Sequence, residues 1–268
     1  MTKTRIFIFP LLLAATASSL ALAQHGMEGG TPMTFFVTSK PIGDGGNLGG
    51  LVGADGHCQS LAENVSADGR TWHAYLSTQA RLGTLAVNAR DRIGTGPWYN
   101  FDGVTIARDV AHLHGDTIEL ARLGNNLTKR TGLTEKGQIV PGLNDYKNSE
   151  VAARAAAGAR GNEFEYTAST PYSNRHEVLT GSQLDGRAYP PDLDYTCDNW
   201  TSNQDPDPEQ NGGRMGAFAN KPNVQIGFPD RNGGGNGSWN SSHGTRGCSQ
   251  TALAMTHGVG MYYCFAIN

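Results

Sequence analysis

The last segment of the chain, Gly247–Asn268, reads GCSQTALAMTHGVGMYYCFAIN. Its second half, Met261–Ile267, combines aromatic and β-branched residues at high density, which is typical of a buried strand. A strand at the end of a chain is poorly held unless another contact fixes it. Because Cys264 lies within this strand, a disulfide could supply that contact. We therefore predict that the strand lies in the central sheet, with the other cysteines arranged around it.

The N-terminus has the features of a signal peptide. Lys3 and Arg5 precede the apolar run Ile6–Leu22, and the run ends in an A-x-A cleavage signal at Ala23. The mature chain is therefore expected to begin at Gln24, in a secreted or periplasmic protein. A membrane anchor is the alternative, but the short run and the small residues at its end disfavour it.

The length of the chain allows one ordinary domain or two small ones. The chain has 268 residues, 36 of them glycine, and 17% are charged, which favours a loop-rich fold with short strands. Loss of Lys3 and Arg5 with the signal peptide changes the formal net charge from -3 to -5, which argues against binding to nucleic acid or heparin. We predict a flexible leader at 24–32 and one domain at 33–268, with a polar insertion at 144–170.

Four cysteines remain in the mature chain, and an even number in an oxidising compartment predicts two disulfides. None of them form a C-x-x-C motif, which argues against a redox or zinc site. Four cysteines allow three pairings, and spacing does not choose among them. The four are Cys58, Cys197, Cys248 and Cys264.

Periodicity predicts the first elements of the domain. Met33–Ser39 and Thr71–Ser77 are rich in β-branched and aromatic residues and are predicted strands. Leu51–Glu63 has one apolar stripe at helical spacing, which places Cys58 towards the core. Arg81–Ile93 is predicted to be a second helix or an irregular segment.

Two long polar loops follow in the second half of the chain. Gln204–Gly213 carries Asp205 and two further acidic residues at alternate positions, which could ligate calcium through oxygen. The alternative is an exposed, proline-rich turn. Arg231–Gly247 is glycine-rich and contains Trp239, Asn240 and His243.

Five features occur in a fixed order along the chain: a Phe-Val-Thr-Ser strand before a glycine loop, Gly53-Ala54-Asp55 and Cys58 on a helix, the strand Thr71–Ser77, Cys197-Asp198-Asn199-Trp200, and two C-terminal cysteines. In this order they resemble the C-type-lectin-like fold, and specifically its endostatin-like branch, the C-terminal domain of certain collagens. They are also similar to bacterial secreted proteins labelled lectins. The resemblance covers most of 33–268 and is weakest at about 124–170.

The resemblance implies an α+β domain with a mixed sheet, two helices, long loops and two nested disulfides. It implies the pairs Cys58–Cys264 and Cys197–Cys248. Calcium-dependent lectins of this fold carry a Trp-Asn-Asp motif, whereas Trp239-Asn240-Ser241 lacks the carboxylate. Endostatin holds zinc through N-terminal histidines, and only His25 lies there in this chain. We therefore predict no bound metal or other cofactor, with calcium as the alternative.

The expected function is that of a non-catalytic binding module for a glycan or another cell-surface or extracellular component. An exposed tryptophan can stack on a sugar face while Asn and Asp bind its hydroxyl groups. A protein-interaction scaffold is the first alternative, and a hydrolase is the second, although no G-x-S-x-G or H-E-x-x-H motif is present. Trp200 could instead be a core residue beside a disulfide. The candidate ligand-binding residues are Trp239, Asn240, His243, Trp200, Asn199 and Asp205.

Overall fold

The computed structural model describes residues 32–67, 69–142, 174–206, 223–232 and 236–268. The predicted signal peptide at 1–23, the leader up to residue 31 and the predicted insertion at 144–170 lie outside these residues. The described part has the mixed α+β structure that the sequence predicts, with short elements and long loops. None of its helices is long and apolar enough to cross a membrane.

The described elements alternate between strands and helices along the chain. They are β1 (Phe35–Val37), α1 (Gly50–Glu63), β2 (Trp72–Ala74), α2 (Ala89–Arg92), β3 (Trp98–Tyr99), β4 (Thr105–Ala107), α3 (Val110–His114), α4 (Ile118–Leu123), β5 (Glu177–Leu179), α5 (Cys197–Trp200), β6 (Gln225–Gly227), β7 (His243–Gly244), α6 (Gln250–Ala254) and β8 (Gly258–Ala266).

The last strand, β8, lies at the centre of the larger sheet, as the sequence predicts. The strand order is β1-β8-β5-β6-β7, and β2 also pairs with β8. The C-terminal half of β8 pairs antiparallel with β1 and β2, and its N-terminal half pairs parallel with β5. All nine residues of β8 are buried because neighbours cover both its edges and both its faces.

Alternate side chains of β8 enter two hydrophobic cores on opposite faces of the sheet, as strand geometry requires. Tyr262 and Cys264 belong to the core that α1 covers. Tyr263 and Phe265 belong to the other core, together with Tyr75. The aromatic density of this segment is therefore divided between two cores rather than concentrated in one.

Two nested disulfides fix the long-range connections. Cys58, on the buried face of α1, pairs with Cys264 of β8, and Cys197 pairs with Cys248. The Cα–Cα distance is 5.7 Å in both, within the usual range for a disulfide. This pairing is the one that the family resemblance implies, and the helix predicted at Leu51–Glu63 is confirmed to within one residue.

The segment Arg81–Ile93 is mostly irregular and is helical only in α2. Its first part belongs to a short hairpin, with bridges from Thr78 to Val87 and from Arg81 to Thr84. Gly83 supplies the positive φ of +79° that the tight turn requires. Of the two alternatives that the sequence leaves open here, the irregular one is confirmed because this turn chemistry prevails over helical periodicity.

The single turn α5 is left-handed. Its residues Cys197, Asp198, Asn199 and Trp200 have φ values of 49°, 57°, 54° and 69°. This conformation costs about 1–2 kcal/mol per residue for L-amino acids, so surrounding contacts must stabilise it. The disulfide to Cys248 provides one such contact, and the bonds of Asn199 and Trp200 described below provide others.

Candidate functional site

An open depression of about 380 Å³, lined mainly by polar residues, lies between two loops at the β6–β7 side of the sheet. We call it the loop pocket. Its first wall is the loop after β5, and its lining residues are Gln183, Leu184, Asp185 and Tyr189. Its second wall and its floor come from β6 and the loop before β7, through Gln225, Asn236, Ser241 and Ser242.

The first wall is a tight turn whose shape depends on Gly186. The amide of Gln183 donates to the carbonyl oxygen of Arg187 at 2.8 Å, and the amide of Gly186 donates to the carbonyl oxygen of Gln183 at 2.9 Å. Gly186 has a φ of +80°, which favours glycine, and its Cα faces His114 and Tyr75 closely. The turn therefore presents Leu184 and Asp185 towards the cavity.

Ser241, on the floor of the pocket, is hydrogen-bonded both to Gln225 of the floor and to Tyr189 of the first wall. Gln225 Nε2 donates to Ser241 Oγ at 3.2 Å, and Tyr189 Oη lies 3.1 Å from the same oxygen. The Tyr189 ring packs on Tyr195 with a centroid distance of 4.2 Å. These contacts hold a half-buried aromatic ring beside hydroxyl and amide groups.

Asn240 braces the first wall from behind. Its Nδ2 lies 3.1 Å from the carbonyl oxygens of both Gln183 and Leu184, and 3.0 Å from the hydroxyl oxygen of Tyr75. Asn240 is 1% exposed, so it cannot itself contact a ligand. The predicted site residue thus acts on the pocket through the backbone of the turn.

Tyr75 continues this network into the core. Its Oη lies 2.8 Å from His114 Nε2, and His114 Nδ1 lies 2.8 Å from the carbonyl oxygen of Val110. Burial lowers the pKa of His114 to about 4, and burial raises the pKa of Tyr75 well above its ordinary value. Both groups are therefore neutral near pH 7, and neither places a charge behind the pocket.

Arg90 holds the same turn from a second direction. Its amide donates to the carbonyl oxygen of Gly186, and its Nη1 donates to the carbonyl oxygen of Asp185 at 2.7 Å. The guanidinium also pairs with Asp116 at 2.5 Å. The backbone of the turn is thus fixed by two buried side chains, Asn240 and Arg90, which favours a preformed pocket.

Asp185 is the charged group of the pocket lining. Partial burial raises its pKa, but hydrogen bonds from the backbone and guanidinium of Arg187 outweigh burial and hold the pKa below its ordinary value. Asp185 is therefore ionised at neutral pH. Its side chain and that of Arg187 are both well exposed, so solvent screens this ion pair.

Trp239 does not occupy the position that the sequence suggests. A glycine- and serine-rich loop predicts an exposed ring, but Trp239 is only 5% exposed. Its ring lies 4.9 Å from that of Tyr75 and 5.5 Å from that of Tyr263, measured between centroids. The prediction that Trp239 offers a stacking surface to a sugar is therefore wrong, because its ring fills the core behind the pocket.

Trp200 and Asn199 stabilise the left-handed turn α5 through hydrogen bonds. Trp200 is fully buried and its Nε1 donates to the carbonyl oxygen of Ser77 at 2.8 Å, which is the core alternative considered above. Asn199 exchanges two hydrogen bonds with the backbone of Gln79, at 2.8 and 3.0 Å. The structure places neither residue in the loop pocket lining.

Asp205 bonds to the start of α6. Its two carboxylate oxygens accept from the amide of Ser249 at 2.8 Å and from Ser249 Oγ at 2.6 Å. Ser249 in turn caps α6 by accepting from the amide of Ala252. The other acidic residues of the predicted calcium loop, Asp207 and Glu209, lie outside the described residues.

His243 follows the pocket residue Ser242, but it faces a buried carboxylate. Its Nε2 lies 3.4 Å from Glu177 Oε1, and its Nδ1 lies 3.0 Å from the carbonyl oxygen of Gly244. Burial lowers the pKa of His243, but the hydrogen bond and charge of Glu177 outweigh burial and raise it above its ordinary value. Both ring nitrogens face oxygen acceptors, which favours the imidazolium form.

Sequence reasoning missed the residues that line the pocket wall and floor. Gln183, Asp185, Tyr189 and Gln225 carry no motif, and the turn around Gly186 is a visible signal only for the first three. Within the described ranges, no group of three His, Cys, Asp or Glu side chains could hold a metal ion.

No protein-family model matches the chain, and no curated protein is significantly similar to it.

Proposed function

We propose that this protein is an exported, non-catalytic binding module with an endostatin-like, C-type-lectin-like domain, and that it binds a carbohydrate in the loop pocket. The observation that carries the proposal is the composition of that pocket. Amide, hydroxyl and carboxylate groups line an open depression of about 380 Å³ beside the ring of Tyr189. This volume lies within the range of small-molecule sites, and such polar groups match sugar hydroxyls.

The rigidity of the pocket supports a binding role. A ligand loses affinity when a loop must become ordered on binding, and a preformed site avoids that cost. Asn240 and Arg90 hold the backbone of the first wall before any ligand arrives. The two disulfides are in keeping with an oxidising compartment, which suits a secreted or periplasmic module.

The geometry of His243 supports a non-catalytic role. A serine hydrolase needs a histidine nitrogen with a free lone pair beside the nucleophile. Both nitrogens of His243 face acceptors, and Ser242 Oγ donates to the carbonyl oxygen of Asn236. Ser242 and His243 are therefore adjacent in sequence without forming a nucleophile–base pair.

A scaffold for protein partners is the second candidate, and one observation favours it. Leu82 and Leu85, in the hairpin between Thr78 and Val87, are exposed almost completely. Exposed apolar side chains that lie together are typical of protein contacts. Two leucines form a small surface, so we rank this role below carbohydrate binding.

A glycan array tests the proposal. Mature protein beginning at Gln24 is applied with calcium and again with EDTA, and binding is expected in both buffers because the pocket lining includes a single carboxylate. Tyr189→Ala is expected to abolish the signal by removing the aromatic wall and one partner of Ser241.

The matched control is Tyr99→Ala, which removes a half-buried tyrosine from a different cavity. It should leave binding unchanged. Absence of binding in both buffers contradicts the proposal and favours the scaffold role. Binding that disappears in EDTA would instead indicate a cation-dependent lectin and direct attention to the Asp205–Glu209 loop.

A further inference from the structure

Side chains in the lining of the loop pocket leave hydrogen-bond acceptors unused. Gln183 Nε2 donates to the carbonyl oxygen of Ala188 at 2.6 Å, and Gln225 Nε2 donates to Ser241 Oγ at 3.2 Å. Within the part of the chain that the structure describes, the side-chain oxygens of Gln183 and Gln225 accept no hydrogen bond. Two amide oxygens in the lining are therefore available as acceptors for a ligand.

Asp185 adds a third acceptor, and it is charged. Arg187 holds its pKa below the ordinary value, and the carboxylate retains lone pairs beyond the two that Arg187 uses. Among the described lining residues, Asp185 is the one that carries a charge near neutral pH. Arg187 and Arg90 lie outside the lining and partly balance this charge, so the negative charge that the pocket presents is concentrated on the exposed carboxylate.

We propose that the loop pocket selects glycans that carry a protonated amine, with Asp185 as the residue that determines this specificity. The inference rests on the proposed carbohydrate-binding function. A primary ammonium group has three donors and no acceptor, which matches the Asp185 carboxylate and the two available amide oxygens. A uronate or sulfate group has acceptors only, and it would meet a like charge at Asp185.

The exposure of Asp185 to solvent limits the size of the expected preference for amino sugars. Asp185 is well exposed and already pairs with Arg187, so solvent and salt screen its charge. An exposed ion pair of this kind changes an affinity by about two- to five-fold. We therefore expect an amino sugar to bind about two- to five-fold more tightly than its N-acetylated form, and uronates to bind more weakly than both.

Isothermal titration calorimetry with matched oligosaccharides tests the proposal. The probes are tetramers of glucosamine and galactosamine, their N-acetylated forms, and a galacturonate tetramer, each at low salt and at about 0.15 M salt. The amine forms are expected to bind most tightly, and their advantage should decrease at the higher salt concentration.

Two substitutions at the ion pair have opposite expected effects. Asp185→Asn retains an acceptor for the amide of Arg187 and should remove the advantage of the amine forms. Arg187→Gln releases the Asp185 carboxylate and should increase that advantage. Because disruption of the turn would weaken binding in both variants, opposite signs separate a charge effect from a structural one. Asp102→Asn, at an exposed position outside the pocket lining, is the control and should change nothing.

Three results would overturn the inference. The first is galacturonate binding as tightly as the amine forms, and the second is equal affinity for the amine and N-acetylated forms in wild type and both variants. The third is binding of neutral hexoses on the array without binding of any amine probe. All three leave carbohydrate binding itself intact, whereas absence of binding to every glycan on the array refutes the proposed function.

Discussion

Asn240 Nδ2 lies 3.0 Å from the hydroxyl oxygen of Tyr75, and this contact joins the aromatic core to the wall of the loop pocket. The same amide contacts the carbonyl oxygens of Gln183 and Leu184. One buried side chain thus connects two regions that are far apart in sequence. Its removal should affect stability and ligand binding together.

Substitution of Asn240 by leucine tests this connection. Asn240→Leu removes the amide and leaves buried oxygens of the turn without their donor, which should lower the free energy of unfolding by about 1–3 kcal/mol. Urea denaturation measures the change, and glycan binding should weaken in parallel. Asn126→Leu is the control, since Asn126 is exposed, and it should change stability by about 0.5 kcal/mol or less. Equal effects of the two variants would contradict the bracing role.

Substitutions at Gly186 and Gly83 provide a matched test of whether Gly186 shapes the pocket wall. Their φ values are +80° and +79°. A Cβ at Gly186 would lie 2.3 Å from His114 Nε2, whereas a Cβ at Gly83 would meet nothing within 4 Å. Gly83→Ala should therefore cost about 1 kcal/mol of stability from backbone strain alone. Gly186→Ala should cost clearly more and also weaken binding, as measured by denaturation and calorimetry.

Acid should destabilise the fold through His114. Its folded-state pKa is about 4, below the ordinary value of 6.5. The unfolded chain therefore binds a proton that the folded chain does not, and stability falls as pH decreases from 6.5 to 4. The contribution of this one group is up to about 3 kcal/mol.

His114→Gln isolates that contribution. Glutamine can accept from Tyr75 and does not titrate, but it lacks the ring that packs against Tyr75 and Trp239, so the variant should be less stable than wild type near pH 7. Its stability should also depend less on pH between the two pKa values of His114. Urea denaturation across this pH range provides the measurement. Identical pH slopes for the two proteins would show that His114 does not carry the effect.

Glu177 should control the titration of His243. The hydrogen bond and charge of Glu177 raise the pKa of His243 against the effect of burial. This raised pKa contributes stability that is fully present below the unfolded value of 6.5 and is lost as pH rises through the folded value. In Glu177→Gln burial remains without the charge, so the pKa of His243 should fall below 6.5. Histidine NMR titration reads this directly, and an unchanged pKa would refute the assignment.

The two disulfides should differ in their stabilising effect. Their sequence separations are 206 for Cys58–Cys264 and 51 for Cys197–Cys248. Loop-closure entropy then gives upper values of about 5 and about 4 kcal/mol. Paired Cys→Ala substitutions, compared by denaturation, should cost more for the first bridge. Substitution of Cys197 and Cys248 should also disturb the left-handed turn. Hydrogen exchange should then show a loss of protection at the Gln79 amide.

Sequence patterns predicted the elements in which buried residues recur at a regular spacing. The density of Met261–Ile267 identified the central strand, because a segment buried on both faces needs apolar side chains at every position. The spacing of Ala54, Cys58 and Leu61 identified α1, since one face of a helix is buried. The disulfide pairing agreed with the family resemblance, although spacing could not have chosen it.

The candidate site could not be predicted in the same way. Trp239 lies in a loop of small and polar residues, which favours exposure, yet two distant tyrosines enclose its ring. Asp185 and Tyr189 lie in the loop after β5, which has no catalytic or metal-binding motif. Whether a loop residue is a ligand contact or a core residue depends on which other segments fold against it.

The sequence by itself determined the central terminal strand, the first helix and the presence of two disulfides, because these depend on local periodicity and composition, which act over one element at a time. The α+β class was implied by the resemblance to the C-type-lectin-like fold. Only the tertiary structure decided that Asn240 is buried behind a turn and that Gln225, Tyr189 and Ser241 meet at one cavity. Gln225 lies in β6, Asn240 and Ser241 lie in the loop before β7, and Tyr189 lies in the loop after β5, and long-range packing around β8 brings these segments within hydrogen-bonding distance.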